Sequence, residues 1–123
     1  MGKLFTARMP DGSERFAGGL SMGRAQLFFD MTKLLEKHLE CTSGIADDIG
    51  EDEHVINPGE FIKFFECFWQ QHDWMGERQS GFYHAWAAIA AGMIENITLT
   101  PRRWVDRNGE VLTVNRYQRP DEV

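Results

Sequence analysis

Leu27, Phe28, Met31, Leu34, Leu35 and Leu39 recur at steps of three and four residues, the period of one apolar helical face. The spacing predicts a helix over about 22–40, with Ser21 placed to cap it. A second start signal is Asn57-Pro58-Gly59-Glu60. Asn accepts a free amide three residues on, Pro suits the first helical position, and Glu at the third reaches back. The helix it opens carries Phe61, Ile62, Phe64, Phe65, Phe68 and Trp69 on a wide aromatic face and fades near His72-Asp73-Trp74. A third helix, about 80–95, sets Phe82, Trp86, Ile89, Ala90, Met93 and Ile94 on one side and adds Ala85, Ala87, Ala88 and Ala91. A helix so apolar is expected at the centre of the fold.

The ends of the chain change period. Leu4 to Met9 and Glu14 to Ala17 flank Pro10-Asp11-Gly12-Ser13, a turn in which Pro presets φ and Gly takes the positive φ. This predicts a hairpin broken by Gly18-Gly19. Beyond Asn96, the near-alternation of Ile97, Leu99 and Trp104, the turn signal Asp106-Arg107-Asn108-Gly109, and Val111, Thr113, Asn115 and Tyr117 predict a second hairpin. A lone hairpin is marginal in water. The two are therefore expected to share one antiparallel sheet under the three helices, an α+β fold of order ββαααββ.

A length of 123 residues, 42% of them apolar, fits one domain over residues 1–123 with a single core. With no long apolar run and no hydrophobic signal core at Met1 to Met9, the expected setting is cytoplasmic, with no membrane partner. Cys41 and Cys67 lie 26 positions apart without a CxxC or Cys/His ligand spacing. That fits reduced thiols, Cys67 as inert core among Phe64, Phe65 and Phe68.

Charge changes the picture more than composition does. The formal net charge is −6, and the segment from Asp47 to Glu60 holds six carboxylates, Asp47, Asp48, Glu51, Asp52, Glu53 and Glu60, without one Lys or Arg. The remaining 13 acidic and 13 basic residues cancel. A patch of this kind binds a divalent ion, imitates a phosphate backbone toward a basic partner, or keeps a loop in water. An EF-hand needs Gly at its sixth and Glu at its twelfth position. Counting from Asp47 finds Asp52 and Pro58, and from Asp48 finds Glu53 and Gly59, so neither register fits. No metal or cofactor is expected.

Catalytic patterns are sparse. There is no GxSxG, GxGxxG or phosphate loop; Gly18-Gly19-Leu20-Ser21-Met22-Gly23-Arg24 lacks the Lys-Ser/Thr ending and reads as a hinge and cap. His72 and His38 sit at predicted helix ends, where a cation complements the helix dipole. His72-Asp73 resembles the metal-binding dyad of HD phosphohydrolases, without the further ligands that family needs. Arg78 to His84 resembles the arginine-to-histidine spacing of the RNA-cleaving HEPN motif, which implies phosphate binding by Arg78 and proton transfer by His84. Six residues on one helix lie roughly 120° apart, so the pair converges only if Arg78 precedes the helix, with Ser80 as cap.

Arg102, Arg103, Arg107, Arg116 and Arg119 gather near Trp104 and Tyr117, but Asp106, Glu110, Asp121 and Glu122 nearly cancel them. That end reads as an Arg/aromatic surface of the kind enriched in protein interfaces, or as ordinary cross-strand pairing, with direct nucleic-acid binding disfavoured. Trp69 and Trp86 are assigned to the core and Trp74 to the surface as a candidate anchor. By elimination, the expected function is a non-catalytic, protein-binding inhibitor of the bacterial immunity or phage anti-defence type. Asp47, Asp48, Glu51, Asp52 and Glu53 would occupy a basic, nucleic-acid-binding cleft on a partner, with Trp74 as a desolvated contact. The alternatives are a small HEPN-like ribonuclease or hydrolase using Arg78 and His84, and a structural subunit whose second-helix aromatics complete a homodimer core.

Overall fold

The computed structural model describes residues 2–46, 53–72, 77–105, 109, 111, 112 and 114, with side chains omitted for 77–82. Strands β1 (Gly2–Arg8) and β2 (Glu14–Ser21) precede helix α1 (Met22–Leu39); strand β3 (Glu53–Ile56) and helices α2 (Pro58–Gln71) and α3 (Glu77–Thr98) follow. The fold is α+β, with three helices on a three-stranded mixed sheet of order β2-β1-β3. β1 pairs antiparallel with β2 and parallel with β3.

The N-terminal hairpin forms as its turn residues require. Gly12, at φ 88°, donates to Met9 O at 2.9 Å, and Asp11 Oδ1 accepts from the Ser13 amide at 2.9 Å. Gly18-Gly19 does not end the strand. β2 runs on to Ser21, because Gly18 lets α3 come close: an added Cβ would lie 3.3 Å from Met93 Cγ. A bulge between Phe5 and Thr6 leaves Ala17 without a partner in the register, and Asn96 Nδ2 donates to the Ala17 carbonyl at 2.7 Å.

α1 has the predicted bounds, and Phe28, Met31, Leu35 and Leu39 of the predicted face are buried, but Leu27 and Leu34 are not. Ala25, Phe28, Met31, Thr32, Leu35 and Leu39 point inward, whereas Leu27 and Leu34 are 56% and 51% exposed. Ser21 occupies the cap position without a side-chain cap hydrogen bond. At the other end Glu40 turns left-handed, φ 52°. α2 starts as read: Asn57 Oδ1 accepts from the Glu60 amide at 3.1 Å, with Pro58 in the first turn. Its Phe61, Phe64, Phe65 and Phe68 are all buried in this chain's own core, so they are not left for a second copy to complete.

α3 is central, with Trp86, Ala87, Ala90, Ala91, Met93, Ile94 and Ile97 buried. It begins three residues earlier and ends three later than read, and Leu99 beyond it is 72% exposed rather than in a strand.

Two further expectations are corrected. The stretch read as a continuous loop from Cys41 to Ile56 contains β3, which joins the sheet beside β1 through Phe5↔His54 and Ala7↔Ile56. The C-terminal hairpin does not join the sheet among the described residues. Val105 and Val111 form an isolated antiparallel bridge, Leu112 N donates to Trp104 O at 2.9 Å, and Gly109 adopts φ 81° between them. That unit docks instead on α2, where Phe65 and Trp104 meet edge to face at 4.5 Å and Trp69 Nε1 donates to Val105 O at 3.1 Å. Edge-to-face contacts of Trp104 with Phe65 and Trp69 hold this unit on α2. No helix among the described residues is long and apolar enough to cross a membrane.

Candidate functional site

The acidic segment is closed at its base. On its N-terminal side Ala46 N donates to Val55 O at 2.9 Å, Ile45 bridges Ile56 in antiparallel fashion, and Asn57 N donates to Gly44 O at 2.8 Å. Residues 44–46 therefore run along the outer edge of β3, and the chain leaves and re-enters the sheet edge at one place. Period-two alternation in β3 turns His54 and Ile56 inward and leaves Glu53 and Val55 half-exposed on the outer face.

His54 is the pin of this base. It is 3% exposed, its ring lies parallel to Phe5 at 5.2 Å and to Phe29 at 5.1 Å, and its Nδ1 is 3.3 Å from Ala46 O. A side chain read as a polar loop residue thus holds the acidic segment to the core. The signal was present in the four-residue alternation Glu-His-Val-Ile, too short to separate from loop.

Gly44 and Glu60 complete the base. Gly44 has φ 75°, and a Cβ there would lie 2.8 Å from Glu60 Cβ and 2.9 Å from Asn57 O. Glu60 thus packs on the segment's near end while its amide satisfies the helix cap. Glu36 holds the approach, its Oε2 accepting from the Ser43 amide at 2.9 Å and from Ser43 Oγ at 2.8 Å.

Of the partner-binding residues read from the sequence, Glu53 lies on this rim. Asp47, Asp48, Glu51, Asp52 and Trp74 lie outside the described residues. Among the described residues no group of three or more His, Cys, Asp or Glu is arranged to hold a metal ion.

The histidines fall into structural settings. His72 caps the C-terminus of α2, stacks on Trp69 at 4.5 Å and places Nδ1 2.5 Å from Trp69 O; Asp73 is outside the described residues. His38 is exposed in the last turn of α1. Arg78 and His84 belong to one uninterrupted helix that starts at Glu77, not at Ser80. The condition for their convergence is therefore not met: their positions are roughly 120° apart around the axis and about 9 Å apart along it.

Of the Arg/aromatic group read at the C-terminal end, Trp104 is buried in the core, and Arg107, Arg116, Tyr117 and Arg119 lie outside the described residues. Arg102 lies over the Trp104 ring at 4.3 Å and 3.5 Å from Glu66 Oε1 on α2, so it ties the C-terminal segment to α2. Trp69 is half-buried beside it. No protein family, curated protein or solved structure matches the chain.

Proposed function

We propose that this chain is a stoichiometric, non-catalytic inhibitor that binds a partner protein through its acidic segment and occludes a basic, nucleic-acid-binding site. What carries the reading is the coincidence of charge and anchorage. The whole net charge of −6 is contributed by six carboxylates between Asp47 and Glu60, and that segment is clamped at both ends to the edge of a sheet. A clamped loop loses less entropy on binding than a free one, and a local charge excess steers encounter with a cationic surface. Asp47, Asp48, Glu51, Asp52 and Glu53 make the contact in this reading, with Trp74 as its apolar anchor, in a cytoplasmic setting of the bacterial immunity or phage anti-defence kind. No chemical step is assigned to the chain.

The test is capture of partners by the tagged protein at low and high salt, beside a variant in which Asp47, Asp48, Asp52 and Glu51 are replaced by their amides. A basic nucleic-acid-binding protein retained at low salt, released at high salt and lost with the variant supports the reading. A partner retained equally by the variant overturns it. Phosphodiester cleavage that disappears in a folded His84→Ala protein would favour the nuclease alternative, and a mass that doubles with concentration would favour the self-assembling one.

A further inference from the structure

Alternation divides the side chains of the sheet into an inward and an outward set. Phe5, Ala7, Gly18, His54 and Ile56 belong to the inward set, where Phe28 meets Phe5 edge to face at 5.6 Å, Phe29 stacks on His54 and Met93 lies over Gly18. The register fixes the outward set. Leu4, on the middle strand β1, has Gly19 of β2 on one side and Glu53 of β3 on the other, and in the next outward row Thr6 stands beside Val55. Leu4 is 50% exposed and is the one exposed large hydrophobic of the sheet among the described residues. Gly19 has no side chain to shield it, while Thr6, Glu53 and Val55 are half-exposed.

We propose that this outer face docks a basic protein, which sets an apolar side chain on Leu4 and Val55 and Lys or Arg side chains against Glu53 and the carboxylates next to it in the chain. The inference rests on the partner-binding reading above and adds the apolar half of that interface. Charge chooses the occupant. Glu51 and Asp52 directly precede Glu53, so the acidic segment enters the sheet on the flank of Leu4. Arg8, the cation of the outward set on β1, is already matched by Glu14 at 3.5 Å. A second copy would bring another net charge of −6 against this one, which like-charge repulsion disfavours. A cationic surface is attracted by the same charges.

The two halves of the interface do different things. Carboxylates steer encounter and lose their pull in salt, whereas burial of Leu4 is not screened and lengthens the life of the complex. An acidic segment alone binds any polycation according to its charge. Leu4 and Val55 beside it select cations that flank an apolar residue.

Two peptides of equal charge serve as probes, acetyl-Lys-Leu-Lys-Leu-Lys-amide and its counterpart with Ser in place of Leu, titrated into the full isotope-labelled chain at low salt and followed by NMR. The wild type is expected to bind the leucine peptide at least about fivefold more tightly, with amide shifts at Leu4, Thr6, Gly19 and Val55 that the serine peptide does not cause. Leu4→Thr, which keeps a strand-forming residue at this position, is expected to abolish the preference and leave the serine peptide's affinity unchanged. The wild-type shifts decide on their own where Leu4→Thr fails a circular dichroism check for folding. The variant with amides at Asp47, Asp48, Glu51 and Asp52 is expected to weaken both peptides together and keep the preference. Equal affinities in the wild type, a preference that survives Leu4→Thr, or shifts confined to other faces would overturn the proposal. If both affinities still fall in the amide variant, the acidic reading then stands without it. An amide variant that binds both peptides as the wild type does overturns the acidic reading and the proposal with it. A mass that doubles with concentration and reverts in Leu4→Thr assigns the face to a second copy and overturns the proposal as well.

Discussion

The indole N–H of Trp86 donates to Thr32 Oγ at 2.8 Å, across 54 residues of sequence, and the Thr32 hydroxyl in turn donates to Phe28 O at 2.8 Å. Both side chains are buried, and Phe28, Phe64, Phe65 and Phe68 surround the indole at 5.1 to 5.9 Å. One hydroxyl on α1 therefore satisfies the one polar atom of the aromatic hub on α3. Thr32→Val keeps the shape but orphans the indole donor, and is expected to destabilise the fold by about 1–3 kcal/mol in urea unfolding. Trp86→Phe removes donor and volume together. In the double variant the Thr32→Val cost should largely vanish, and additive losses would disprove the coupling.

Gly44 and Gly12 both have positive φ, 75° and 88°, but only Gly44 is crowded. Gly12→Ala meets open space and is expected to cost about 1 kcal/mol from backbone strain alone. Gly44→Ala also drives a Cβ into Glu60 and Asn57, so its loss should be clearly larger, with hydrogen exchange accelerating at the Asn57 and Ala46 amides. Equal costs would mean that the base of the acidic segment yields easily.

Asn57→Ala removes the one side-chain cap of α2 and is expected to cost about 1 kcal/mol, with Asn57→Asp retaining most of the stability. Chemical denaturation of the three proteins checks this order.

Hydrogen bonds from the Ser13 hydroxyl, and then from its amide, hold the Asp11 carboxyl below the usual carboxylate range. A folded pKa below the unfolded one means that this group's contribution is present above the unfolded value and disappears as pH falls through the folded one. Ser13→Ala is expected to move the Asp11 titration up toward the ordinary range in carboxyl NMR. Unaltered titration would show that the hydroxyl is not the cause.

Glu53 stands half-exposed on the outer face of β3, so Glu53→Lys is expected to leave stability within about 0.5 kcal/mol. Combined with Asp52→Lys it should slow association with the basic partner proposed above by tenfold or more at low salt, the gap closing as salt rises. An unchanged rate constant would remove these carboxylates from the interface.

Features set by neighbours in sequence were legible from the sequence alone. The Asn57-Pro58-Gly59-Glu60 start, the Met9 to Ser13 turn and the bounds of α1 each depend on a few adjacent residues whose backbone preferences and hydrogen bonds are local. The charge concentration is likewise a property of the string and needs no fold.

What required the tertiary structure was every choice between two partners of similar local merit. Leu27 and Leu34 fit a helical period as well as Thr32 does, yet Thr32 faces inward because a Trp86 donor awaits it there. Gly18 reads as a break until Met93 packs where its side chain would be. His54 reads as loop until Phe5 and Phe29 enclose its ring. Trp104 lies on Phe65 rather than in the sheet, because burial and contact are decided by what arrives from elsewhere in the chain. Local preference is a matter of a few tenths to about 1 kcal/mol per residue, and burying a large side chain outweighs it.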